Sequence, residues 1–229
     1  MVAAKMDKKD LEQPDVFQEA FGKFLDYARE NRQKLYVAAG TLALVIVLGA
    51  GYFFYSAGYE KDAGKLYFDA RLRAMRADPM GMGPGGPEVI RAFADVVEKY
   101  PSSDAAQGAR YELGSLYYDA GDYDRSIQVY GAFIDNASKK DIRTIYARFG
   151  IGYACEAKKE YDRALDAFNR VVESNPGNVF EGLSYRNIAR VYEEMSDRGK
   201  AMDYYKKALE KTKDPAASSL LKRKIAQLG

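Results

Sequence analysis

Residues 108–135 read GARYELGSLYYDAGDYDRSIQVYGAFID. Two helical patterns of apolar residues meet here across a short polar link containing Gly121. The first pattern carries the pair Leu113-Gly114, and the second carries Ser126 with Tyr130 four residues later. A small residue lets two paired helices approach closely, and an aromatic one turn on fills the space beside them. The same order recurs in ARFGIGYACEAKKEYDRALDAFNRVVESNP (147–176) with Ile151-Gly152 and Ala164/Phe168. It recurs again in SYRNIARVYEEMSDRGKAMDYYKKALEKTKDP (184–215) with Ile188-Ala189 and Ala201/Tyr205. Pro176 and Pro215 stand just past the second helix of their units, where a helix stops.

Three such units, starting at Gln107, Ile145 and Gly182, resemble the tetratricopeptide repeat over residues 107–215. The resemblance implies an all-α, right-handed α-solenoid. A degenerate unit precedes them: PEVIRAFADVVEKYPSS (87–103) has the second-helix pattern, with Phe93 and Pro101 in register. Its first helix is expected over Tyr59 to about Ala77, and a Gly/Pro loop over 79–87 joins the two. Residues 216–229 close the array as a solvating helix with Ala217, Leu221, Ile225 and Leu228 on one face. In this template Tyr117, Tyr130, Tyr161, Tyr185, Tyr192 and Tyr205 fall at packing positions between helices.

Ahead of the repeats, LYVAAGTLALVIVLGAGYFFY (35–55) runs without a charge. At 1.5 Å per residue it spans about 31 Å, enough to cross a hydrocarbon core. It is too long for the apolar part of a signal peptide, and the charge-balanced residues 1–34 are a poor leader. Tyr36, Tyr52 and Tyr55 sit near its ends, where amphipathic rings prefer the headgroup layer. The expectation is a single-pass anchor from Leu35 to Tyr55, followed by a stalk helix and the degenerate unit over 56–106. Arg29, Arg32 and Lys34 crowd the near edge, whereas Glu60, Lys61, Asp62 and Lys65 alternate beyond the far one. Positive-inside counting therefore places the N-terminus in the cytoplasm and the repeats across the membrane. Residues 1–34 hold an amphipathic segment: Pro14-Asp15 starts a helix, and Phe17, Phe21, Phe24, Leu25 and Ala28 share a face. That face suits either the membrane interface or a docking partner.

Composition removes several chemistries. The 229 residues contain 35 Lys+Arg, 33 Asp+Glu, no His and one Cys. No basic stripe marks a nucleic-acid surface. Without His, and with a single Cys, neither triads, the usual zinc sites nor a disulfide framework can form. Cys155 occupies a packing position, and neighbouring Glu156 would raise its pKa. GMGPGG (81–86) satisfies G-x-G-x-x-G, but a helical segment precedes it and Pro79, Pro84 and Pro87 break the backbone, so it is a link. Glu193 and Glu194 are adjacent on one helix and do not converge across a cleft. The sequence therefore indicates no catalytic residue, metal, cofactor, nucleic acid or small-molecule substrate.

The candidate partner-binding residues are those on the other face of the first helices: Tyr111, Ser115, Tyr118, Tyr146, Phe149, Tyr153, Arg186 and Arg190. In tetratricopeptide arrays this face lines the concave groove, and Tyr and Arg are enriched at binding surfaces. The same face could instead pack against the stalk or the C-terminal helix. The Lys/Asn set of carboxylate-clamp repeats is not present at the groove positions.

The whole layout resembles the YfgM-like ancillary translocon subunits of bacterial inner membranes. The likeness rests on the Glu30-Asn31-Arg32-Gln33-Lys34 stretch, the single apolar span and the repeat domain with its solvating helix. It implies a periplasmic repeat domain, contact with the Sec translocon and a periplasmic folding factor, and chaperone-like handling of emerging chains. The alternative is a structural assembly factor of an envelope secretion, division or outer-membrane assembly complex, a type in which AFADVVEKYPSSDAA (92–106) is at home.

Overall fold

A computed structural model describes residues 16–78, 86–138, 140–174 and 179–229. The expected helix start at Pro14-Asp15, most of the glycine-rich link and the stop at Pro176 lie outside the described residues. The described residues form ten helices and no strand. The chain divides into two compact units, 1–57 and 58–229.

The first unit holds α1 (Val16–Glu30) and the start of α2 (Arg32–Ala77). An 18-residue window of α2 has a mean hydropathy of 2.1, and none of it is buried within the protein. By length and composition α2 can cross a membrane.

The second unit contains the end of α2, then α3 (Pro87–Lys99), α4 (Asp104–Asp119), α5 (Tyr123–Asn136), α6 (Arg143–Ala157), α7 (Tyr161–Ser174), α8 (Glu181–Glu194), α9 (Arg198–Lys211) and α10 (Pro215–Leu228). From α3 onward each helix packs on its sequence neighbour, and α4 also reaches α6. Three helix pairs, α4/α5, α6/α7 and α8/α9, match the three repeats read from the sequence. The end of α2 packs beside α3: Tyr67 lies 5.8 Å from Phe93, and Ala70, Val89 and Val96 share a core with Ala109 and Leu113.

One turn geometry joins the helices within every repeat. Gly121, Lys159 and Ser196 adopt φ of 76°, 60° and 63°. The next amide always reaches back to the helix: Asp122 N–H donates to Tyr117 O, Glu160 to Cys155 O and Asp197 to Tyr192 O, at 2.8, 2.8 and 2.9 Å. These Schellman turns satisfy the carbonyls left open at each helix end. Glycine adopts that left-handed conformation without penalty, and Lys159 and Ser196 do not. Ser196→Gly should therefore raise stability by roughly 0.5–1 kcal/mol, read as an upward shift in urea midpoint with an unchanged slope. Side-chain caps then start the following helices, Asp122 to Arg125 N–H, Asp197 to Lys200 N–H, and Asp214 to Ala216 and Ala217 N–H.

Large rings meet small residues between the paired helices. A Cβ at Gly152 would come 2.3 Å from Phe168 Cε1, so only glycine permits this approach. Tyr130 lies as close to Gly114 of its own repeat and Gly150 of the next. Tyr130 and Tyr205 are buried as the pattern requires. Tyr117, Tyr161, Tyr185 and Tyr192 are only half-buried.

Candidate functional site

The first helices stack so that residues one repeat apart touch across the boundary. Glu156 near the end of α6 meets Arg190 of α8, 34 residues on. Arg190 Nε and Nη2 each donate to a Glu156 carboxylate oxygen at 2.6 Å, a bidentate pair. Those hydrogen bonds hold the guanidinium above its ordinary pKa against the opposing effect of burial. Arg190 also covers the Tyr153 ring, 5.5 Å from its centroid. Asn187 Nδ2 donates to the Tyr153 hydroxyl at 3.0 Å.

The next boundary repeats the arrangement with different residues. Lys224 of α10 donates to both Glu193 oxygens at 2.8 and 3.0 Å, and the Tyr205 hydroxyl donates to Oε2 at 2.7 Å. Burial pushes the Glu193 carboxyl up, but the hydrogen bonds from Lys224 and Tyr205 outweigh it and leave the pKa lowered. A lowered carboxyl stabilises the fold above its unfolded pKa, and that contribution is lost as pH falls through the folded value. Glu193→Gln should therefore cost about 0.5–1 kcal/mol at neutral pH, screening considered. The gap between its melting temperature and the wild type's should narrow as pH falls below the ordinary glutamate range and close once pH is below the lowered folded value.

Around the Glu156–Arg190 pair lies a recess of about 550 Å³ lined by Tyr118, Tyr153, Glu156, Ala157, Lys159, Tyr161, Arg190 and Glu194. It sits at the ends of α4, α6 and α8, beside the left-handed turn at Lys159. Tyr118 is half-buried, 5.5 Å from Tyr123, and burial with the nearby Tyr123 and Glu156 raises its pKa. The Tyr118 phenol therefore stays neutral near pH 7, able to donate and to accept. Three half-exposed rings with charges of both signs provide stacking area and polar handles without a nucleophile aimed at any atom. Cys155 is buried, and burial pushes its thiol up.

The structure gathers three of the eight sequence-predicted residues, Tyr118, Tyr153 and Arg190, into this recess. Phe149 is a correction: it is 4 % exposed and sits in the core against Phe168 and Phe180. Tyr111 is half-buried against Tyr130 and Phe133, with Arg143 over its ring. Tyr146 is 45 % exposed but lies 5.4 Å from Phe180, outside the recess. Ser115 lines a separate, smaller recess with Arg71, Glu112 and Asp119. Arg186 is half-buried on α8. Glu156, Lys159, Tyr161 and Glu194 were not singled out from the sequence as groove residues. The one signal for them was position, since each stands at or just beyond the end of a first helix.

The tetratricopeptide-repeat family matches residues 90–141, 111–179 and 184–217. Comparison with curated proteins gives no match. Among solved structures, the MamA protein superposes with a TM-score of 0.51 at 20 % identity, covering 72 % of this chain and 87 % of that one. MamA residues 41 to the end from Desulfovibrio magneticus RS-1 give 0.53 at 17 % identity, covering 73 % and 93 %. A protein described as a kinesin light chain from Podosopora anserina, with nearly identical TPR-like repeats, gives 0.53 at 12 % identity, covering 72 % and 83 %. At these identities the structures share the fold alone. The helix pairs, the recurring turns and the family match agree, and the chain is a tetratricopeptide-repeat protein, a helical scaffold for protein–protein contacts.

Proposed function

We propose that this protein is a membrane-anchored, non-catalytic scaffold whose repeats bind polypeptide partners in the recess of Tyr118, Tyr153 and Arg190. The observation that carries the reading is the composition of that recess: three half-buried tyrosines beside Glu156, Lys159, Arg190 and Glu194. Such a surface offers stacking area at low entropic cost and hydrogen bonds to a peptide backbone. Absence of His and burial of the single Cys support a binding role over a catalytic one. The uncharged run in α2, exposed along its length, supports the anchor.

In this proposal Leu35–Tyr55 spans the bacterial inner membrane with the N-terminus in the cytoplasm and the repeats in the periplasm. The YfgM-like layout makes the Sec translocon and a periplasmic folding factor the partners to test first. Two assays decide between readings. Suppression of aggregation of an unfolded test protein is expected of a client handler. An assembly factor that only organises an envelope complex would leave aggregation unchanged. For topology, a single cysteine at Gly86 in a Cys155→Ala background should react with a membrane-impermeant maleimide in intact cells. Reaction only after lysis would reverse the anchor and remove the periplasmic proposal.

A further inference from the structure

α1 has two unlike faces. Phe21, Phe24 and Leu25 are 53 %, 58 % and 40 % exposed, and with Ala28 they share one side at helical spacing. Glu19, Lys23, Asp26 and Glu30 occupy the other side, where Lys23 pairs with Glu19 at 2.8 Å. The helix ends at Glu30 and α2 resumes at Arg32. Asn31 closes α1: its backbone N–H and its Nδ2 both donate to Tyr27 O, at 3.0 and 3.1 Å. α1 is therefore a helix in its own right, separated by one residue from the helix that holds the uncharged run.

A helix of 15 residues is marginal in water unless its apolar face is covered. What stands next to it decides the cover. The uncharged stretch begins at Leu35, barely a turn beyond Asn31, and its own side chains suit only lipid. Arg29, Arg32 and Lys34 cluster at this junction against Glu30 and Asp26, which Arg29 reaches at 3.9 Å, leaving one cation in excess at the depth where lipid phosphates would lie. We propose that α1 is an interfacial helix. Phe21, Phe24 and Leu25 sit at the acyl boundary of an anionic membrane, and the junction cations sit at its phosphates. This rests on reading Leu35–Tyr55 as a membrane span, and it adds a second lipid contact that fixes how the chain leaves the bilayer on that side.

The protein contains no tryptophan, so one introduced indole reports its own surroundings. The test uses the full chain in vesicles of phosphatidylcholine and phosphatidylglycerol with lipids brominated at shallow or deep acyl positions. Phe24→Trp should emit at shorter wavelength and be quenched by shallow bromines several-fold more than Lys23→Trp on the opposite face. Its quenching should weaken when phosphatidylglycerol is left out. Leu42→Trp, inside the uncharged run, should be quenched by deep bromines. An unquenched Phe24→Trp beside a quenched Leu42→Trp overturns the interfacial helix and leaves the anchor standing. A blue-shifted but unquenched Phe24→Trp does the same, and assigns the face to protein, such as a second copy. A Leu42→Trp that escapes deep bromines overturns the anchor and the interfacial helix together.

Discussion

Phe168→Ala is expected to lower the unfolding free energy by about 3–5 kcal/mol. Its ring is fully buried, 6.1 Å from Phe149 and 5.5 Å from Tyr153, in a core with Cys155, Val171, Ile188 and Val191. That core joins α6 and α7 to α8, so the lost ring removes packing within the middle repeat and across its boundary. The neighbours are held by helix–helix contacts and collapse little, so a cavity remains. Repeats are stabilised mainly by their nearest neighbours, and a weak middle repeat should uncouple the two ends. Urea denaturation of the full chain in detergent should show an earlier, broader transition. A loss below about 1 kcal/mol would mean that this ring is not the wedge between repeats.

The second large effect is on binding. Tyr118→Ala with Tyr153→Ala should weaken partner binding at least tenfold, and up to about a thousandfold if both rings are central contacts, since a tyrosine hot spot contributes about 2 kcal/mol. The two residues differ in their side effects. Tyr118 touches Tyr123 at the rim, so Tyr118→Ala alone should leave stability within about 1 kcal/mol. Tyr153 packs on Phe168 and accepts from Asn187, so its truncation also costs stability. Tyr153→Phe separates the two: it keeps the packing and removes the hydroxyl. Partner co-purification at equal amounts of folded protein is the readout. Unchanged recovery with both rings gone would take binding away from this recess.

The repeat architecture was legible because its signals are local. Leu113-Gly114 and Ser126/Tyr130 lie within one helical pair, and their recurrence at Ile151-Gly152 and Ala164/Phe168 needs no three-dimensional knowledge. Gly121 announced its turn. Lys159 and Ser196 adopt the same left-handed conformation without a sequence signal, because the hydrogen bonds of the turn impose it. The binding face was legible only in part. Sorting by helix face put Phe149 beside Tyr153, but Phe180 from the following segment covers it. Arg190 looked like a free hand for a ligand, yet Glu156 already holds it from one repeat earlier. Tyr161 packs against the core of its repeat, as its template position requires, and also lines the recess. The Phe149 and Arg190 departures come from contacts outside the residue's own helix pair, which periodicity within a single repeat cannot show.

The most direct test of the account is site-specific photo-crosslinking in the native membrane. A photoreactive side chain replaces Tyr118 at the recess in one variant and Gln128, exposed on α5, in another. The account predicts polypeptide adducts from position 118 that disappear when Tyr153→Ala is added, and none from position 128. Equal adducts from both positions, or adducts from 128 alone, would contradict it and move the binding surface to the second helices.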